Sequence, residues 1–308
     1  MTERPTVDRE AKARLYGWVI EPPQVDAEKC TGCGKCTTDC PAHVFEVRQK
    51  KSTVVGVDHC IACGHCWAVC PERAVRQPDS VAADEPDFGP EPPVSADDFE
   101  VFLRQRRSVR RFKSKPISRE VLERIAKAGG YAPTGSNRQN VGIIVVPSSE
   151  RVAELRSLTE QFILGTAKKL RNPVAAAFIS WRFGREVVDQ MLAYGDRLRW
   201  LMDAGRKSPY FPLPFGSAVM VAHADGKDSS GPANSVLALH TAALLAQAEG
   251  LGTCNLGFVS YGANADKPMK AWLGVPPGQT CSAAIVLGYP ETDYLRPVAR
   301  RSPTVTWR

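Results

Sequence analysis

Outside one short window, this chain has almost no cysteine. Ten occur in 308 residues, and only Cys254 and Cys281 lie beyond the span from Cys30 to Cys70. Disulfides in a secreted domain are spread out to staple distant loops, so this crowding argues against a disulfide framework and for a reducing, cytoplasmic setting. The opening MTERPTVDRE has no apolar stretch of the kind a signal peptide needs. Long hydrophobic runs are missing as well. The most apolar segment, around Val236–Ala248, is interrupted by His240, Thr241 and Gln247 and is too short to span a bilayer. Nucleotide-fold motifs are also absent, with neither G-x-G-x-x-G opening a strand–helix unit nor G-x-x-x-x-G-K-[ST]. GLGTCNLG has two of the required glycines but not the third in register, so a dinucleotide on a Rossmann fold is unsupported.

The net charge of +7 invites a nucleic-acid reading, but the excess is local. Arg104–Lys115 (RQRRSVRRFKSK) carries seven basic residues, whereas Asp79–Asp98 carries seven acidic and no basic ones. So short a basic segment suits any anion, from DNA down to a single phosphate. The acidic stretch contains Pro86, Pro90, Pro92 and Pro93, which cannot continue a helix or a sheet ladder, and it reads as an extended linker over residues 79–97. The expected organisation is therefore a first domain over residues 1–78, this linker, and a second domain over residues 98–308.

Within the first domain the motif C-x2-C-x2-C-x3-C-P occurs twice, at Cys30, Cys33, Cys36, Cys40 and at Cys60, Cys63, Cys66, Cys70. Three thiolates two residues apart wrap one corner of a cluster if the backbone turns tightly, and Gly34 and Gly64 permit that turn. In this arrangement the fourth cysteine ligates the other cluster. The expectation is one [4Fe–4S] cluster on Cys30, Cys33, Cys36 and Cys70, and a second on Cys60, Cys63, Cys66 and Cys40. Zinc favours separated C-x2-C pairs, a pattern that these triplets fit poorly. His59 and His65 read as ordinary polar neighbours. The segment resembles bacterial-type two-cluster ferredoxins, which implies one-electron transfer and no covalent chemistry of its own.

Past the linker, helices alternate with apolar runs. Asp97 or Asp98 is placed to cap a helix carrying Phe99, Phe102 and Leu103; Ser118 caps another that ends at Gly129-Gly130. VGIIVV, VAAAFIS and SAVMVAHA read as buried strands, and a long apolar helix follows from about Ala233 to Glu249. The pattern indicates a layered α/β or α+β domain.

Three separated segments of this domain offer what a flavin mononucleotide (FMN) needs: guanidinium donors for phosphate, and small polar turns for a ring edge. They are RRSVRRF, APTGSNRQN and VARRSPTVTW. Here the chain resembles the nitroreductase family of FMN enzymes, over residues 98–308. The family's R-[RH]-S-x-[RK] motif matches Arg106, Arg107, Ser108 and Arg110, which implies FMN contact. Its P-[ST]-x-x-N-x-Q loop, usually donated by the other subunit, matches Pro133, Thr134, Asn137 and Gln139. EGLGTCNLGF resembles the stretch lying along the ring, so Cys254, Asn255, Leu256 and Gly257 are implied to approach it largely through backbone. Arg300 and Arg301 are the phosphate candidates in the basic tail.

The resemblance implies an α+β fold in which a two-[4Fe–4S] ferredoxin-like domain precedes a nitroreductase-like α+β sandwich. It also implies two [4Fe–4S] clusters and FMN as cofactors, with FMN at the interface of a homodimer. The expected activity is reduction of a small unsaturated or aromatic acceptor, of nitro or quinone type, with NAD(P)H or a ferredoxin as donor. No protein nucleophile is needed, so no catalytic side chain is named, and neither nucleic acid nor membrane is expected as a partner. The alternative is an electron-transfer adaptor that serves a protein partner without small-molecule turnover. Cys254 reads as a small packing residue. The aromatic stretch from Thr159 to Phe215 reads either as a substrate-side wall or as core and dimer packing.

Overall fold

The computed structural model describes residues 12, 16, 21–76, 88–89, 91–205, 208 and 211–308. The chain forms two compact units: Met1–Pro92 with Thr134–Asn140, and Pro93–Pro133 with Val141–Arg308. Most of the linker expected over residues 79–97, with Pro86 and Pro90, lies outside the described residues, as do Pro209 and Tyr210.

The first unit follows the internal repeat. In chain order it holds β1 (Gln24–Val25), α1 (Lys35–Asp39), β2 (Phe45–Arg48), β3 (Lys51–Val54), α2 (His65–Ala68) and β4 (Val75–Arg76). β1 pairs with β4 and β2 with β3, both antiparallel. Each short helix is entered through a glycine at φ 76°, Gly34 and Gly64, a left-handed geometry that a Cβ disfavours. The core is small: Val44, Phe45 and Val75 are buried together with the sulfur-bearing Cys36, Cys60 and Cys66.

The second unit opens with α3 (Ala96–Gln105), where Ser95 rather than Asp97 or Asp98 is the cap. The Ser95 hydroxyl accepts from the Asp98 amide at 3.1 Å, as an N-cap does, and donates to the Asp98 carboxylate at 2.6 Å. α4 (Arg119–Ala128) is capped by Ser118, as expected. There follow β5 (Gly142–Val146), α5 (Ser149–Leu170), α6 (Pro173–Phe183), α7 (Arg185–Asp203), β6 (Ala218–Asp225), α8 (Gly231–Ala248), β7 (Gly252–Asn255), α9 (Gly257–Ala265), α10 (Lys267–Leu273) and β8 (Gln279–Gly288). VAAAFIS is therefore helix α6 and not a buried strand. Asn172 accepts from the amides of Val174 and Ala175, and Pro173 takes the first turn, where its missing N–H costs nothing. None of the α6 residues is buried, and Trp181 is 80% exposed.

The four strands form one antiparallel sheet in the order β5-β6-β8-β7. Successive side chains of a strand point to opposite faces, and both faces are covered here. On β6, Val219 and Val221 face a core with Val152 and Leu155 of α5 and Val259 of α9. Ala218, Met220 and Ala222 face the opposite core, with Leu122 and Ile125 of α4 and Leu239 and Ala242 of α8. Such double burial explains why the strand reads as a near-continuous apolar run. Among the described residues, no helix is long and apolar enough to cross a membrane.

Candidate functional site

All ten cysteines carry free thiols, and in the first unit eight of them line two separate cavities. One is walled by Cys30, Cys33, Cys36 and Cys70, the other by Cys40, Cys60, Cys63 and Cys66. The chain achieves this crossing because β1 pairs with β4, which carries the end of the second motif back beside the start of the first. Backbone amides aim at the sulfurs in matched pairs. Val44 donates to Cys40 Sγ at 3.4 Å and Ala74 to Cys70 Sγ at 3.2 Å. Ser52 donates to Cys30 Sγ and Ala62 to Cys60 Sγ, both at 3.4 Å. Amides so directed favour a negatively charged sulfur, which suits a thiolate bound to iron. Without a metal, burial pushes the Cys66 thiol up to about 12, so a bound cation is what would deprotonate it. The donor set and its surroundings fit iron–sulfur clusters.

The second unit supplies a different surface. A cavity of about 300 Å³ is lined by Arg106 and Ser108 together with Cys254, Asn255, Leu256 and Gly257. Two contacts bring these segments together. Ser108 bridges to Thr253 of β7, and the Val109 amide donates to the Thr253 carbonyl at 2.9 Å. The approach is close because Gly252 has no side chain; a Cβ there would lie 2.5 to 2.8 Å from the Val109 side chain. A guanidinium, a hydroxyl and a run of exposed backbone around one cavity fit the phosphate and ring of a flavin. Burial raises the Cys254 thiol above its ordinary value, outweighing the nearby Arg110 guanidinium, so it is protonated near neutrality and behaves as a packing residue.

Other candidate residues lie elsewhere. Arg107 turns away: its guanidinium donates to the Arg296 carbonyl at 2.8 Å and stacks 4.2 Å over the Tyr294 ring. Arg110 is exposed and reaches the Ser108 carbonyl at 3.4 Å, while Pro133, Arg300 and Arg301 are exposed and do not line the cavity. Thr134, Asn137 and Gln139 fall in the first unit, where the Thr134 hydroxyl accepts from the Gln139 amide at 3.0 Å. The cavity wall also includes His240, Ser260 and Ser282, none of which the motifs singled out. His240 did leave a signal, as an imidazole interrupting the apolar run at Val236–Ala248.

The aromatic stretch divides. Tyr194, Phe211 and Phe258 form one cluster, Tyr194 meeting Phe258 edge-on at 4.8 Å, whereas Phe178, Trp181, Phe183 and Trp200 are exposed.

Comparison with known proteins matches two family models in this chain: "Nitroreductase family" over residues 103–289, and "4Fe-4S dicluster domain" over residues 22–71. Similar curated proteins include the iodotyrosine deiodinase of Hydra vulgaris, 23% identical over 209 residues, covering 68% of this chain and 71% of that protein. Its counterpart in Daphnia pulex is 25% identical, covering 68% of this chain and 64% of that one, so the match spans somewhat less than two thirds of that relative. Among solved structures, an FMN-bound nitroreductase from Bacteroides fragilis superposes with a TM-score of 0.50 at 21% identity, covering 67% of this chain and 96% of that one.

Proposed function

This chain belongs to the nitroreductase family, and we propose that it is an FMN- and iron–sulfur-dependent oxidoreductase reducing a small unsaturated or aromatic acceptor of nitro or quinone type. The observation that carries this reading is the union in one chain of two four-thiol cavities with a cavity lined by Arg106, Ser108 and Cys254–Gly257. Clusters exchange single electrons, and a flavin takes them singly and releases them as a pair or as hydride. The protein's own residues bind and orient. Arg106 and Ser108, with Arg110 and either Arg300 or Arg301, would bind the phosphate, while Cys254, Asn255, Leu256 and Gly257 would present backbone to the ring. Pro133, Thr134 and Gln139 would complete the site from a second copy in a homodimer, whereas the side-chain amide of Asn137 is engaged by the Ile61 and Ala62 carbonyls. The donor is NAD(P)H or a low-potential ferredoxin.

Anaerobically purified protein should carry about eight irons and one FMN per chain, read by absorbance and metal analysis. Zinc without flavin would end this reading. Turnover assays with nitroaromatic, quinone and halogenated phenol acceptors then define the substrate class. Failure of all three, with a protein partner still reduced, would favour the electron-transfer adaptor. Comparing anaerobic reduction by NADPH and by reduced ferredoxin identifies the donor.

The Gly252 contact gives a local test. Gly252→Ala forces a methyl into Val109, and overpacking of this kind costs about 1–3 kcal/mol. It should displace the Arg106–Arg110 loop, so that the variant loses flavin on dialysis while its iron content stays at the parent value. Retention of flavin equal to the parent would show that this loop does not hold it.

A further inference from the structure

The two halves of the first unit match closely at an offset of thirty residues, which makes their differences informative. Gly34 and Gly64 both lie at φ 76°. Lys51 Nζ donates to the Cys30 carbonyl at 2.5 Å, and Lys12 Nζ likewise reaches the Cys60 carbonyl. The match fails at the residue before the second cysteine of each motif. In the first half this is Gly32, at φ 74°, lying on the Lys50 carbonyl where no Cβ could fit. In the second half it is Ala62, held at φ 51° in a left-handed conformation that a side chain opposes.

The first motif is supported by its neighbouring hairpin, β2–β3, which supplies Lys51 and the Ser52 amide. Support for the second motif comes from residues distant in sequence. Asn137 Nδ2 donates to the Ile61 carbonyl at 3.1 Å and to the Ala62 carbonyl at 2.9 Å. The segment bearing Asn137 is itself held, since the Tyr16 hydroxyl donates to the Ser136 carbonyl at 2.8 Å. Lys12 Nζ, besides its contact with Cys60, donates to the Asp58 carbonyl at 2.8 Å. Ser136, Asn137 and Gln139 also adopt positive φ, at 52°, 54° and 49°. Among the described residues, four of the eight non-glycine positions at positive φ thus lie on the two sides of this contact, a conformation that the surrounding structure must hold.

We propose that Asn137 is a positioning residue for the second iron–sulfur site. By gripping the Ile61 and Ala62 carbonyls it holds Ala62 where its amide faces Cys60 Sγ, and so tunes the reduction potential of the cluster on Cys60, Cys63, Cys66 and Cys40. An amide aimed at a cluster sulfur stabilises the more negative, reduced state, so loosening it lowers the potential. The inference rests on the reading that both thiol sites hold clusters, and the iron content of the parent protein tests that reading separately.

The experiment is an EPR-monitored redox titration of full-length, anaerobically purified protein and of Asn137→Ala. The expected result is that one of two cluster potentials falls by about 59 mV, a tenfold shift of a one-electron equilibrium, while the other is unchanged. In a Cys63→Ala background, where only the first site remains, adding Asn137→Ala should move nothing. Equal shifts at both sites, or no shift with full iron, would overturn the proposal. If Asn137→Ala loses iron, Tyr16→Phe, which removes the Ser136 anchor and leaves Asn137 in place, decides: a smaller fall at the same site supports the proposal, and two unchanged potentials overturn it.

Discussion

Changing Cys70 to alanine should remove about half of the iron, about four atoms per chain, and the loss should fall on the site whose other ligands are Cys30, Cys33 and Cys36 of the first motif. The physical reason is the crossing of the chain. The cavity lined by Cys70 is also lined by Cys30, Cys33 and Cys36, while Cys40 shares its cavity with Cys60, Cys63 and Cys66. Pairing the substitutions makes the test decisive. Cys30→Ala with Cys70→Ala strikes one site twice, so about four irons should remain. Combining Cys63→Ala with Cys70→Ala strikes both sites, and almost no iron should remain. The reverse result, almost no iron in Cys30→Ala with Cys70→Ala and about four irons in Cys63→Ala with Cys70→Ala, would show that the ligands do not cross.

The second large effect is expected at Arg156, whose side chain is 7% exposed. Its guanidinium donates to the carbonyls of Leu213 and Phe211, to that of Ser208 at 2.9 Å, and to the Glu160 carboxylate at 3.1 Å. A buried charge is costly to desolvate, so the fork contributes geometry more than net stability: it fixes the chain that seats Phe211 against Tyr194 and Phe258. Arg156→Met leaves those carbonyls and Glu160 without their donor. Removing one partner of such an arrangement costs about 3–5 kcal/mol, which corresponds to a fall of roughly 10 °C in melting temperature for a unit of this size. Arg156→Lys should not rescue it, because a single ammonium cannot span carbonyls that a planar fork reaches. Calorimetry of the cofactor-loaded protein checks both variants, and a melting point within about 2 °C of the parent for Arg156→Met would refute the assignment.

What could be read in advance divides along the range of the interactions involved. The cysteine spacing announces clusters because a cluster-binding loop is a local object, and Ser118, Gly129 and the apolar run of β6 likewise act within a few residues of themselves. The misread strand at Val174–Ser180 is instructive. Its apolar residues resemble a buried strand, but Asn172 and Pro173 start a helix, and that local signal outweighs hydrophobicity. The role of Arg156 could not be found this way, since the carbonyls that it holds lie more than fifty positions away.

By itself, then, the sequence determined two cysteine-rich half-sites, a basic loop, and the places of α3, α4, β5, β6 and α8. Only the tertiary structure decided that Arg107 turns to Arg296 while Arg106 lines the cavity, that His240 joins its wall, and that the Thr134–Asn140 loop belongs with the cysteine-bearing unit. Spacing encodes what neighbouring residues can do together, whereas a side chain's final partner depends on which distant carbonyls folding leaves within its reach.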